Sequence, residues 1–172
     1  PNPRAGRRGY DMTVPPVVVG ISGASGAALG LSVVMQLSAA KVPVELVVTP
    51  AGERTLRAEV AGDALGRLVA LARHVHRADD IGATIASGSY PVSGMIVAPC
   101  SMRSLGAIAH SLNDTLLIRA ADVQLKERRP LVLIARETPL HLGHLRGMTS
   151  VTAMGGLILP PVPAFYLPPD RV

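Results

Sequence analysis

The chain has 172 residues, enough for one domain with a substantial core; 48% are hydrophobic but only 2% aromatic. One Phe, three Tyr and no Trp leave little to stack on nucleic-acid bases, so the net charge of +5 points to small anionic ligands and away from nucleic acid. The single cysteine, Cys100, excludes an intrachain disulfide and agrees with a reducing, cytoplasmic setting. Residues 1–12 carry Arg4, Arg7 and Arg8 without apolar periodicity; they read as a flexible extension with Met12 as a native start, ahead of a single domain over 13–172.

From Thr13 to Ala40 there is no charge, which imitates a membrane span, yet Pro15, Pro16 and the glycines at 20, 23, 26 and 30 divide it into strand, loop and helix. The patterning predicts a strand at Val17–Ile21, a helix at Ala24–Ala40, a strand at Val44–Val48 and helices at Pro50–Glu59 and Asp63–Arg73. Arg77–Ser93 reads as loop, Met95–Ala98 as a strand, and Ser101–His110 and Leu116–Arg129 as helices. Leu131–Ala135 is the next strand, His141–Met154 a helix and Leu157–Leu159 the last strand, before five prolines between Pro160 and Pro169. Apolar strands alternating with helices predict an α/β fold with a parallel sheet and no second domain.

In such a fold the loops after the strands share one edge, where ligands bind. Gly20-Ile-Ser-Gly-Ala-Ser-Gly26 lies where strand one turns into a helix, a place where free amides attract phosphate and where Ser22 and Ser25 offer hydroxyls. It matches neither a P-loop nor Gly-x-Gly-x-x-Gly, and a tight turn for close packing is its alternative meaning. Pro99-Cys100-Ser101-Met102 follows another strand; Ser101 suits a helix cap or a ligand contact, and Cys100, with no base near it in sequence, reads as a buried small residue. Arg119 and Lys126 are seven apart, hence on one helical face, with Arg128 and Arg129 in the last turn, where the helix dipole favours cations. Arg136-Glu137 at a strand tip pairs an anion-binding group with a group able to move a proton. The pairs His74/His76 and His141/His144 lack the further ligands of a zinc site, so no metal is expected. Tyr166, in Ala164-Phe165-Tyr166, offers a hydroxyl to an anion or packs as part of a lid.

Taken in order, Gly20–Gly26, Ala86-Ser87-Gly88-Ser89, Pro99–Met102, Arg119–Arg129, Arg136-Glu137-Thr138-Pro139-Leu140 and Pro160–Tyr166 resemble the UbiX-type flavin prenyltransferases over residues 16–168. The resemblance implies a Rossmann-like three-layer sandwich with a mostly parallel sheet, assembled as a homododecamer with FMN at subunit interfaces. It implies an enzyme that joins a dimethylallyl group from dimethylallyl monophosphate to N5 and C6 of reduced FMN without a metal. The product, prenylated FMN, serves a UbiD-type decarboxylase. By motif, Gly23, Ala24, Ser25, Thr49, Ser101 and Arg119 belong to the flavin site, with Thr49 at the FMN phosphate or ribityl chain. Lys126, Arg136 and Tyr166 would hold the substrate phosphate, Lys126 in a neighbouring subunit's site. Glu137, Ser25 and Glu59 would be the catalytic group, with Glu137 assisting phosphate departure and Glu59 near the prenyl phosphate. The family carries one more phosphate-binding Arg in a C-terminal helix beyond the matched stretch. Two other readings stay open: an FMN-dependent cysteine decarboxylase of the phosphopantothenoylcysteine type, for which His74 or His76 would be the needed base, and a non-catalytic flavin-binding partner of a decarboxylase.

Overall fold

The computed structural model describes residues 13–162. The strands are β1 (Val17–Ile21), β2 (Val44–Val48), β3 (His74–His76), β4 (Gly94–Cys100), β5 (Leu131–Ala135) and β6 (Leu157–Ile158). The helices are α1 (Ala27–Ala39), α2 (Pro50–Glu59), α3 (Ala64–Leu71), α4 (Met102–Ala109), α5 (Leu116–Lys126) and α6 (Leu142–Ala153), with a 3-10 turn at Thr84–Ala86. The strands form one sheet in the order β3-β2-β1-β4-β5-β6, and each neighbouring pair is parallel. This is the doubly wound order of Rossmann folds, all parallel where a mostly parallel sheet was expected. The assignment of residues 1–12 as a flexible extension lies outside the described residues, as does Tyr166.

Two cores lie on opposite faces of the sheet, because alternate residues of a strand point to opposite sides. Val19, Ile21, Val44, Leu46 and Val48 pack with α1, α2 and α3 through Leu31, Val34, Leu56 and Leu68. Val18, Val47, Val97 and Leu133 pack with α4, α5 and α6 through Leu105, Ile108, Leu117 and Val151. Covered on both faces, the inner strands read as continuous apolar runs, which is why the sequence shows them. The uncharged stretch 13–40 resolves into β1 and the 13-residue α1, and among the described residues no helix is long and apolar enough to cross a membrane.

The starts of α2, α3, α4 and α6 carry side-chain caps. Thr49 Oγ1 accepts from Gly52 N at 3.0 Å ahead of Pro50, and Asp63 Oδ1 accepts from Gly66 N at 2.8 Å. Ser101 Oγ accepts from Ser104 N at 3.2 Å, and His141 Nδ1 from Gly143 N at 3.0 Å. Two boundaries differ by three residues from the sequence pattern: α1 begins at Ala27, not Ala24, because Gly26 adopts a left-handed conformation (φ 97) that turns the chain into the helix, and α5 ends at Lys126, not Arg129, ahead of a left-handed Arg128 (φ 54).

β3 escapes the sequence pattern altogether. It has three residues, two of them exposed, and its inward-facing residue is His76. That histidine is matched to Glu45, which interrupts the apolar run of β2 and is 2% exposed. Glu45 Oε2 bonds His76 Nε2 at 2.6 Å, and Oε1 accepts from Arg73 Nε at 2.8 Å and from the Tyr90 hydroxyl at 3.0 Å. Burial by itself raises the Glu45 carboxyl pKa, but the bonds from His76, Arg73 and Tyr90 together outweigh it and hold the group below its ordinary 4.5. A carboxyl depressed in the folded state contributes stability above its unfolded pKa and loses it as pH falls through the folded value. Glu45→Gln is therefore expected to melt below the wild type at pH 7, with the gap in Tm narrowing below about pH 4. Thermal melts of both proteins between pH 3 and 7 read this directly, and a gap independent of pH would contradict it.

Candidate active site

The parallel order places the carboxyl ends of β2, β1, β4 and β5 side by side, and the switch point of the topology falls between β1 and β4. Each strand is followed at that edge by an expected site residue. Thr49 N donates to Ile21 O at 2.9 Å, which ties the exit of β2 to that of β1. Arg136 N donates to Cys100 O at 3.3 Å, which ties the exit of β5 to that of β4. Gly23, Ser25, Arg136 and Glu137 are exposed, whereas Ala24 is buried and Thr49 and Ser101 half-buried. Arg119 sits in the first turn of α5, whose amino end reaches the same edge, with Leu117 packed over Gly20.

The loop Ser22–Gly26 is locked from inside. The buried Ser22 hydroxyl donates to Pro99 O at 2.9 Å and accepts from Ser101 N at 2.8 Å, so one side chain joins the β1–α1 and β4–α4 loops across the switch point. Sequence reasoning offered Ser22 to a ligand; the structure turns it inward. Ser22→Ala leaves a buried acceptor and donor without that partner, at a cost of about 1–3 kcal/mol. We expect a lower Tm together with a weaker FMN affinity in a fluorescence titration, while an unchanged affinity would mean that the two loops keep their places without this hydroxyl.

The amides at the start of α1 already hold an anion. Glu59 Oε2, at the end of α2, accepts from Gly26 N at 2.8 Å and Ala27 N at 2.9 Å. The Ala27 amide foremost, then the Ser25 hydroxyl, the Gly26 amide and the nearby Arg136 charge, lower the Glu59 pKa. The phosphate expected on this bare backbone thus gives way to the chain's own carboxylate, and Ser25, Glu59 and Arg136 come together although 33 residues separate Glu59 from Gly26 and 77 from Arg136. The reason for Gly23 changes as well: a Cβ there would come within 2.4 Å of Ala51 Cβ, so its lack of a side chain serves the close approach of α2.

For a phosphate-bearing flavin the edge retains suitable donors. Thr49 Oγ1 caps α2 as an acceptor, which leaves its own proton to donate outward, and Arg119 stands in the first turn of α5, whereas the Ser101 hydroxyl donates to Ser104 Oγ at 3.1 Å. Cys100 is fully buried and its thiol is pushed up to about 12 by burial, so it stays protonated. His76 is enclosed against Glu45 within the sheet, not on a loop at the edge, and His74 stacks edge-on to it at 4.3 Å.

Lys126 is the residue this site does not include. It ends α5, four residues before Pro130 leads into β5, and so lies at the amino edge of the sheet, opposite Arg136. The seven-residue spacing did put Arg119 and Lys126 on one helical face, but at its two ends, about 10 Å apart along the axis. Within one chain Lys126 pairs with Glu127.

Comparison with known proteins shows the family. The family model described as Flavoprotein matches residues 6–162. A flavin prenyltransferase UbiX of Thauera aromatica is 53% identical over 156 residues, 91% of this chain and 80% of that protein. The chain belongs to the UbiX flavin prenyltransferase family. The UbiX of Salmonella typhimurium is likewise 53% identical, over 91% of this chain and 82% of its own length. Among solved structures, AnUbiX (PadA1) in complex with FMN and dimethylallyl pyrophosphate superposes with a TM-score of 0.87 at 47% identity, covering 89% of this chain and 81% of that one. A dodecameric FMN-dependent UbiX-like decarboxylase from Escherichia coli O157:H7 gives 0.85 at 42% identity over 90% and 85%. The cysteine decarboxylase TvaF, at 16% identity and a TM-score of 0.69, shares the fold alone.

Proposed function

We propose that this chain is a flavin prenyltransferase that joins a dimethylallyl group from dimethylallyl monophosphate to N5 and C6 of reduced FMN, yielding prenylated FMN for a UbiD-type decarboxylase. The observation that carries the reading is the clustering of Ser25, Glu59 and Arg136 at the carboxyl edge beside Glu137, in a chain of this family. A cytoplasmic location goes with it, as does a homododecamer of the kind that the Escherichia coli relative forms.

Gly23, Ala24, Ser25, Thr49, Ser101 and Arg119 would hold FMN, with Thr49 at its phosphate or ribityl chain. When bound, the reduced flavin supplies the nucleophilic ring positions and a flat apolar surface. This chain's residues supply the charges. Breaking the allylic C–O bond releases inorganic phosphate, so Arg136 must stand ready for the anion before it forms. Glu137, next along the chain, delivers a proton to the departing phosphate. Glu59, ionised and fixed by two amides, stabilises the positive charge that develops on the allyl carbons and accepts the proton released as the new bond forms. Ser25 is bonded to Glu59 and helps to fix that carboxylate. Lys126, at the far edge, serves the phosphate in a neighbouring copy's site, and Tyr166 is assigned to the same phosphate.

The cysteine decarboxylase alternative is less well supported, because His76 is enclosed with Glu45 and His74, though exposed, lies in β3 and not on a loop at the carboxyl edge. Anaerobic incubation with dimethylallyl monophosphate tests the reading: inorganic phosphate should appear only when reduced FMN is present. Release without flavin, or none with it, would contradict a prenyl transfer and favour a non-catalytic flavin carrier in the second case.

A further inference from the structure

A second concentration of polar groups lies at the amino edge, where α5 ends. There Arg129 reaches across to the turn that precedes β4. Its Nη2 donates to Gly88 O at 2.7 Å and its Nη1 to Tyr90 O at 3.1 Å. The same turn is anchored a second time from the sheet interior, because the Tyr90 hydroxyl donates to the buried Glu45 at 3.0 Å. Between the anchors, the hydroxyls of Ser87 and Ser89 bond each other at 2.9 Å. The turn lies directly against the end of α5: a Cβ on Gly88 would come within 3.0 Å of Lys126 Nζ and 2.1 Å of Glu127 Oε1. Lys126 also lines a cleft of about 1040 Å³, together with Arg128, Arg129, Met154 and Leu157.

A lysine ammonium on four methylenes has no position of its own; its neighbours set it. Here those neighbours are the Ser87–Ser89 turn and Glu127, and the turn is held by a guanidinium whose rigid fork reaches two backbone carbonyls at once, which an ammonium cannot match. Arg129, expected from sequence in the last helical turn, where the dipole favours cations, is instead half-buried in a structural clamp beyond the end of α5.

We propose that Arg129 is a positioning residue for the prenyl transfer: by clamping the Ser87–Ser89 turn to the end of α5, it fixes the surface from which Lys126 meets the substrate phosphate of a neighbouring copy. The proposal rests on the reading that Lys126 acts in a neighbour's site. A clamp of this kind governs where a binding cation stands and leaves the proton-transfer groups at the opposite edge untouched, so it bears on KM more than on kcat.

The test uses the assembled protein loaded with reduced FMN, with dimethylallyl monophosphate varied. For Arg129→Ala we expect KM to rise about tenfold, with kcat and the FMN Kd within about twofold of wild type, as fits the loss of one well-placed charge contact. Arg129→Lys, able to reach one carbonyl, should fall between, and Tyr90→Phe, which loosens only the second anchor, should raise KM less. Lys126→Ala is the control. If it raises KM and Arg129→Ala does not, the clamp is merely structural and the proposal fails. If Lys126→Ala also leaves KM unchanged, it is the reading of Lys126 that fails. Should Arg129→Ala not fold, wild-type KM values in both Arg129→Lys and Tyr90→Phe would overturn the proposal.

Discussion

Glu137→Gln is expected to lower the rate of prenylation by about 10²–10⁴ while FMN stays bound, the range for removing a positioned proton-transfer group. The residue is the second after β5, exposed at the edge next to Arg136, and its Oε1 accepts from Thr138 N at 3.1 Å. Glutamine keeps that hydrogen bond and the size of the side chain, so the substitution isolates the proton. Arg136→Ala should differ in kind: Arg136 holds the phosphate in both ground and transition states, so its loss raises KM as well as lowering kcat. Single-turnover mixing of reduced FMN-loaded enzyme with dimethylallyl monophosphate separates the two. A wild-type rate for Glu137→Gln would remove this residue from the mechanism.

Glu59→Gln should lower kcat by about 10². Both α1 amides bond to a single oxygen of Glu59, and the amide oxygen of glutamine can take its place. The loop geometry then survives while the negative charge between the α1 start and Arg136 disappears. Because the carboxyl pKa is lowered, the charge is present throughout the neutral range, and the effect should persist from about pH 6 to 8. Stopped-flow rates across that range check it; equal rates in the two proteins would show that Glu59 is a helix cap and nothing more.

The strands of the sheet's centre were legible because burial on both faces demands unbroken Val, Leu and Ile, as in Val44–Val48 and Leu131–Ala135. Ser101 and Arg136 could be placed at the carboxyl edge for a related reason: each follows such a strand, and a parallel sheet sends every strand exit to one edge; Thr49 came in through the family resemblance. β3 was hidden because three residues cannot show a period and because its buried side chain is a histidine. The clue lay elsewhere, in Glu45: a carboxylate inside an apolar strand requires partners, and Arg73, His76 and Tyr90 were the groups within reach. The Glu59 contact with Gly26 and Ala27 left no local trace, since no spacing rule connects the end of α2 to the start of α1. The shared helical face of Arg119 and Lys126 was legible from their spacing, but α5 spans the depth of the sheet and sets the two at opposite edges, in keeping with the expectation that Lys126 serves a neighbouring copy.

The most direct test of the central claim is the mass of the flavin. Incubated anaerobically with reduced FMN and dimethylallyl monophosphate, then extracted, the cofactor should have gained one C5H8 unit, with one inorganic phosphate released for each flavin converted. FMN recovered at its original mass from folded, flavin-loaded protein would contradict the account.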